Sequence, residues 1–310
     1  MITIIIPCYN EKEIIKDFID ELYSNVKNLK DDFEIIFIDN KSTDNTVNTL
    51  KENIAIFKNY KLICLSNYFG KEAAILSGLD KASGDASIIM DPDLEDPPSL
   101  IQELIAKWKE GNDVVYAQRK NTETTVLKKI MKKIFYFIFK SLVNKKFAIP
   151  ENTGDYRLLD KKITKQLISM RERNRFLRGL VSFVGHKQEG IEFDRPFRKK
   201  GNSKSSIKFL IKYGFDAILS STSGPAGLIT KFGILSLLIV FIILTFVLTN
   251  KIFSDPYEGF SLTILLILFL FSLNTFMIGI IGEYVTRIYD EVKKRPNYII
   301  EKIIDNQRNS

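Results

Sequence analysis

Ile88-Ile89-Met90-Asp91-Pro92-Asp93-Leu94-Glu95-Asp96-Pro97-Pro98 is the stretch on which the fold turns. Three apolar residues enter it, as at the end of a buried strand. Pro92 and the Pro97-Pro98 pair stop a strand from continuing. Asp96 before proline reads as a helix cap with proline in the first turn. Asp91, Asp93 and Glu95 therefore sit on a stiff loop at the carboxyl end of a strand, where open α/β sheets bind ligands. Carboxylates this close repel one another unless a cation shares the site. Ligands that are all oxygen suit Mg²⁺ or Mn²⁺, with substrate phosphates completing the shell. A solvated acidic turn is the plainer alternative at this level.

Working outward, the first 118 residues alternate apolar runs with helical periodicity. Strands are expected at Ile2 to Ile6, Glu34 to Ile38, Lys61 to Leu65, just before Asp91, and at Val114 to Ala117. Between them, residues such as Ile14, Ile15, Phe18, Ile19 and Leu22 recur at helical spacing. The alternation predicts an α/β domain with a mostly parallel, Rossmann-like sheet covered on both faces. The first strand-helix turn, Pro7-Cys8-Tyr9-Asn10-Glu11, has no glycine. That excludes a dinucleotide fingerprint, in which the backbone must approach a pyrophosphate. Pro7, Tyr9 and Glu11 suit a base and a ribose instead.

Charge divides the chain. Residues 1–118 hold 12 Lys and Arg against 21 Asp and Glu, whereas residues 119–310 hold 33 against 16. The acidic part suits a cation-assisted site and the basic part an anionic partner. Long apolar runs near the C-terminus favour lipid over nucleic acid as that partner. Residues 232–249 and 260–282 carry no charge and are long enough to span a bilayer. Lys231, Arg287, Lys293, Lys294 and Arg295 flank them, which puts residues 1–230 and the tail 285–310 in the cytoplasm of a multi-pass plasma-membrane protein. Basic amphipathic segments at 124–147 and 203–226 are expected to lie in the membrane interface. The stretch from Asn297 reads as a soluble amphipathic tail. Gly279 and Gly282 would allow close helix contact and leave a homo-oligomer open. Cys8 and Cys64 read as buried thiols with no zinc spacing, and the N-terminus shows no signal-peptide pattern. His186, the single histidine, has no partner pattern for nucleophilic catalysis and reads as structural.

Six motifs in order carry a resemblance: Ile-Pro-Cys-Tyr-Asn-Glu from Ile6, Ile-Asp-Asn-Lys-Ser-Thr-Asp-Asn-Thr from Ile38, Asn67-Tyr68-Phe69-Gly70-Lys71, the Met90 to Pro98 loop, Thr-Gly-Asp-Tyr-Arg from Thr153, and Arg-Phe-Leu-Arg from Arg175. Together they resemble the family 2 glycosyltransferases of GT-A fold, and most closely the polyprenyl-phosphate branch that includes bactoprenol glucosyltransferases and dolichol-phosphate mannose synthases. The resemblance implies donor contacts at Pro7, Tyr9, Glu11, Asp39 and Asp91. It implies metal ligation at Asp91, Asp93 and Glu95, the last standing where relatives often carry glutamine. Asn40 and Lys41 replace a commoner aspartate and glycine. Asp155 matches the position usually proposed as catalytic base, alongside Asp93. The bottom-up reading makes Asp155 an orienting group with equal ease. Arg119, Arg157, Arg178, Ser203 and Lys204 are the candidate contacts to the acceptor phosphate, because guanidinium forks suit phosphate.

The expected reaction is inverting transfer of a sugar from a nucleotide-sugar, UDP-glucose first, to a polyprenyl phosphate such as undecaprenyl phosphate, with Mg²⁺ or Mn²⁺. GDP-mannose or another UDP-sugar is the alternative donor. A polysaccharide synthase is disfavoured because Trp108, the only tryptophan, lacks the Gln-x-x-Arg-Trp context. A degenerate transferase acting as a membrane-anchored binding module is the non-enzyme alternative, and intact Asp91 and Asp93 speak against it.

Overall fold

A computed structural model of the chain describes residues 1–120, 149–173, 175–194 and 260–306, with seven isolated positions between 235 and 245. The candidate interfacial segments 124–147 and 203–226, Ser203, Lys204 and most of the run 232–249 lie outside the described residues.

Strand β1 (Ile2–Cys8) is the sequence Ile-Thr-Ile-Ile-Ile-Pro-Cys, buried throughout. β-Branched residues of this kind suit a sheet covered on both faces. It pairs in parallel with β2 (Phe33–Asp39) and β4 (Ala86–Ile89), and β2 pairs in parallel with β3 (Tyr60–Leu65). The connections are α1 (Ile15–Val26), α2 (Thr46–Asn53) and α3 (Lys71–Lys81). In α1 the buried residues are Ile15, Phe18, Ile19, Leu22 and Val26, a single stripe at helical spacing. Helix α4 (Ile101–Lys109) then leads to β5 (Val114–Arg119).

The sheet order is β7-β5-β6-β4-β1-β2-β3-β8. β6 (Thr153–Asp160) is inserted between β4 and β5 and runs antiparallel to both. Helices α5 (Lys161–Ser169) and α6 (Leu177–Val184) follow it, and β7 (Gln188–Phe193) pairs in parallel with β5. Six of the eight strands thus share one direction, in agreement with the mostly parallel expectation. One core layer packs α1, α2 and α4 on Ile4, Ile6, Phe37 and Ile88. The other packs α3, α5 and α6 on Ile5, Ile36, Ile38 and Ile89. Helix α3 comes in close because residue 78 is glycine. A Cβ there would stand 2.5 Å from Ile5 Cγ2 and 2.9 Å from Ile38 Cδ1.

One expectation needs correction. The stretch from Asn297 is not a free tail, because residues Ile300–Asp305 form β8, antiparallel to β3 at the sheet edge. Ile300 and Ile303 pack on one core layer and Ile304 on the other, which draws the strand in. The arginines at 171, 173 and 175 precede α6 in an irregular segment.

Helix α7 (Phe260–Val292) runs 33 residues, about 50 Å at 1.5 Å per residue. Among the described residues it is the one helix long and apolar enough to cross a membrane, and none of its apolar window is buried in the protein. Phe269, Phe271, Phe276 and Ile278 are each 59–70% exposed, an apolar surface with no protein against it. The helix continues past the expected end at 282. Near its C-terminus, Glu291 accepts the backbone N–H of Arg173 at 2.7 Å, and the Arg173 guanidinium donates to the Arg295 carbonyl at 3.0 Å. Asn297 donates to the Glu172 carbonyl at 2.8 Å before β8 begins.

Candidate active site

The carboxyl ends of β1 to β4 converge on one edge, and their loops are stitched together. Asn10, in a left-handed conformation (φ 55°), accepts the backbone N–H of Thr43 at 2.7 Å. Glu11 N–H donates to Thr46 Oγ1 at 2.9 Å. Asn40 Oδ1 accepts Phe69 N–H at 3.0 Å, which ties the β2 loop to the β3 loop. The rings of Tyr9 and Tyr68 meet with centroids 4.6 Å apart. Asp39 ends β2, is nearly buried, and accepts Ser42 N–H at 3.2 Å. Burial pushes its carboxyl above the ordinary range, against the hydrogen bonds from Ser42. Pro7 lies inside β1 and is buried, so it shapes this edge from within.

Lys41 stands where the resemblance leads one to expect glycine, and it adopts the left-handed backbone that glycine favours, φ 62°. Its ammonium pairs with Glu301 of β8 at 2.7 Å. The loop shape expected of the glycine is therefore kept, at some strain, and the last strand is linked to the loop that carries Asp39.

The acidic loop leaves β4 at Met90 and turns at Leu94, a leucine with φ 59° that is 8% exposed. A bulky residue held there marks strain of the kind that collects at functional sites. Asp93 Oδ1 accepts Glu95 N–H at 3.1 Å. Asp96 is buried 3.4 Å from the Arg119 guanidinium, and burial with the nearby Asp91 charge pushes its carboxyl up to about 7.

Because β6 runs antiparallel, its first residues reach the same edge. Asp155 is buried and uses its two oxygens on two cations: Oδ1 accepts Arg178 Nε at 2.9 Å, and Oδ2 lies 2.7 Å from Lys71 Nζ. Lys71 Nζ is also 2.7 Å from Asp91 Oδ2. Burial alone would raise the Asp155 carboxyl, but Arg178, Lys71 and Arg157 together hold it well below the usual range. Conversely, burial opposes the Lys71 charge, while Asp155 and Asp91 raise its affinity for its proton. Arg157, also buried, donates to the Gly154 carbonyl at 2.7 Å. Glu72, next to Lys71, accepts the N–H of Leu177 at the start of α6 at 3.2 Å and so seats the helix that carries Arg178. Burial and the Asp155 charge push Glu72 up to about 7.

The structure thus brings Asp91, Asp155, Arg178 and Lys71 into one ion-pair chain, with Arg119 close by on Asp96 and Arg157 behind. Lys71, Glu72 and Asp96 were not singled out from sequence as site residues. Their position at the start of a helix or of a proline turn after a strand was the available signal. The other arginines of the 171–178 run go elsewhere. Arg171 pairs with Asp80 at 2.8 Å, and Arg175 donates to the carbonyls of Met170 and Leu167. His186 lies 3.4 Å from Asp113, away from this edge, in keeping with a structural role.

Among the described residues no group of three His, Cys, Asp or Glu side chains is set to hold a metal ion. The donors on the Asp91–Glu95 loop are nonetheless all hard oxygen. Ions of the Mg²⁺ type commonly take one or two protein carboxylates and complete their shell with phosphates and water. The donor chemistry fits that mode, and Asp91, Asp93 and Glu95 remain the candidate ligands.

Residues 3–168 match the model for Glycosyl transferase family 2. A Bacillus subtilis (strain 168) protein described as an uncharacterized glycosyltransferase is 38% identical over 99% of this chain and 95% of its own length. The prophage bactoprenol glucosyl transferase homolog of Escherichia coli (strain K12) is 34% identical over 97% of this chain and 99% of its own. Among solved structures, glucosyl-3-phosphoglycerate synthase from Mycobacterium tuberculosis, in complex with Mn²⁺, UDP-glucose and phosphoglyceric acid, superposes with a TM-score of 0.51 at 15% identity. That match covers 72% of this chain and 79% of the other, and it shows a shared GT-A-like fold.

Proposed function

The chain belongs to glycosyl transferase family 2, and from that premise we propose that it transfers a sugar, glucose first, from a UDP-sugar to a polyprenyl phosphate such as undecaprenyl phosphate at the cytoplasmic face of the membrane. The observation that carries this reading is the ion-pair chain at the sheet edge, where an acidic donor-side loop faces cations anchored on Asp155. Full-length similarity to proteins named bactoprenol glucosyl transferase supports the choice of acceptor, and the exposed apolar helix α7 supports a membrane setting.

In this mechanism Tyr9, Glu11, Asp39 and Asp91 receive the nucleoside and ribose, with Pro7 holding the turn. Asp93 and Asp91, with Glu95 beside them, would hold Mg²⁺ or Mn²⁺. When bound, that ion supplies positive charge against the departing diphosphate. The acceptor is a phosphate monoester with second pKa near ~6, so it reaches the site largely ionised and nucleophilic. It requires positioning more than deprotonation. Asp155 is poorly suited to take a proton, since both oxygens are engaged and its carboxyl is held strongly acidic. Its work is to hold Arg178 and Lys71 facing the incoming phosphate, with Arg119 and Arg157 adding to the field. Ser203 and Lys204 are proposed as further acceptor contacts from sequence alone. One in-line displacement inverts the anomeric centre.

The test is a donor screen with purified full-length protein, undecaprenyl phosphate and Mn²⁺. The expected result is transfer from UDP-glucose to the lipid phosphate. Transfer only to a soluble or polysaccharide acceptor would overturn the reading.

A further inference from the structure

Lys71 occupies the first position of α3, directly after Gly70, whose φ of 87° turns the chain off the end of β3. Its ammonium is shared between two carboxylates, 2.7 Å from each, one on the loop after β4 and one on β6. The side chain is 43% exposed, so a ligand can reach it. An ammonium 2.7 Å from Asp91 Oδ2 and a divalent cation on the same carboxylate repel each other, so the two cations compete for Asp91. Asp155 faces no such competition, because it stands off the acidic loop and Arg178 already holds its other oxygen. Lysine is a point charge on a flexible stem, able to leave one partner and pivot on another.

We propose that Lys71 is an exchange counter-ion: it neutralises Asp91 until a divalent cation with nucleotide takes that carboxylate, and its ammonium, still held by Asp155, then contacts the acceptor's phosphate. This deepens the sugar-transfer reading and rests on it for the identity of the acceptor. It also sets an order. Before the cation arrives the ammonium is matched by two carboxylates and has little to offer a phosphate. Once the cation binds, one of those two anions is gone, so donor with cation binds first and lipid phosphate second.

The experiment uses full-length protein in detergent and follows Mn²⁺ alone through loss of the free-ion electron paramagnetic resonance signal. Removing a competing charge-assisted hydrogen bond should make Lys71→Met bind Mn²⁺ about tenfold more tightly than the native chain. Lys71→Gln, neutral but still a donor, should follow Lys71→Met, and serves if the methionine variant does not fold. Lys71→Arg, whose fork can grip both carboxylates, should bind Mn²⁺ more weakly than the native chain. In transfer assays at saturating Mn²⁺ the neutral variants should need about tenfold more polyprenyl phosphate for half-saturation, with the nucleotide-sugar requirement unchanged. Weaker Mn²⁺ binding in the neutral variants would overturn the exchange, since Lys71 would then only hold the carboxylates in shape. An unchanged acceptor requirement would overturn the phosphate contact. A native chain that binds Mn²⁺ yet never glycosylates polyprenyl phosphate would refute the proposed function and the acceptor half, while the Mn²⁺ series would still decide the exchange.

Discussion

Asp155 divides its oxygens between Arg178 and Lys71, and that division supports the orienting role proposed for it over that of a base. A proton acceptor needs a free oxygen and a pKa near that of the group it serves. An orienting anion needs what is seen here. Asp155→Asn should therefore lower transfer by roughly tenfold to a hundredfold, mainly through the acceptor requirement, and leave measurable activity. Complete loss with acceptor binding intact would assign it proton transfer instead. Arg178→Ala should raise the polyprenyl phosphate requirement by a similar factor while nucleotide binding holds, and a matched loss of donor affinity would move Arg178 to the other substrate. Asp93→Ala should abolish transfer in a protein whose circular dichroism is unchanged, because Asp93 makes no ion pair that the fold depends on among the described residues. At this scale the sequence was readable where a residue's placement is local: the Asp91–Glu95 run does follow a buried strand, at the carboxyl end of β4. It was silent on Lys71, whose second partner lies 84 residues away on a strand that the pattern did not reveal.

The strands that the pattern did reveal are those buried on both faces, where apolar runs are continuous. β6 escaped because Thr153-Gly154-Asp155-Tyr156-Arg157 looks polar, although all five residues are buried. Its charged members are paired with each other's neighbours across the site rather than with water. β7 and β8 are edge strands and carry Glu189 and Glu192, or Glu301 and Lys302, between their apolar residues. The opposite edge of the sheet holds a different device. Glu34, 1% exposed, accepts from Lys61 at 2.6 Å, Thr3 Oγ1 at 2.6 Å and Ser83 N–H at 2.9 Å, and so joins β1, β2, β3 and the turn before β4. Burial raises its carboxyl, but these contacts outweigh that and leave it below the usual value. A depressed folded-state pKa adds stability above the unfolded pKa of about 4.3, and this is lost as pH falls through the folded value. Glu34→Gln should cost about 3 kcal/mol in chemical unfolding at pH 7, with the gap to the native chain closing below about pH 4. A gap that persists undiminished at pH 3 would show the charge to be irrelevant. The Lys41–Glu301 pair is half exposed on both sides and screened by solvent, so Glu301→Ala should leave the chemical unfolding midpoint nearly unchanged. Deleting residues 300–310 should cost far more, because it bares the edge of β3 and the apolar seats of Ile300, Ile303 and Ile304.

The whole molecule is set by where its last strand goes. β7 ends at Phe193 and β8 begins at Ile300, and both belong to one sheet. Residues 193 and 300 are therefore on the same side of any bilayer that the chain enters. A chain that departs and returns to one side crosses an even number of times. In the membrane setting proposed above, α7 crosses once, which asks for an odd number of further passages between the two strands, and the uncharged run 232–249 is the stretch of sequence long enough to make one. A cysteine introduced as Ser254→Cys should be labelled from outside the cell and one introduced as Lys302→Cys only after permeabilisation. External labelling of both would break the count. On that proposal the sheet is completed during synthesis only after both passages have been made, so a chain that misses one leaves β3 without its partner and is marked as misassembled by its own open edge.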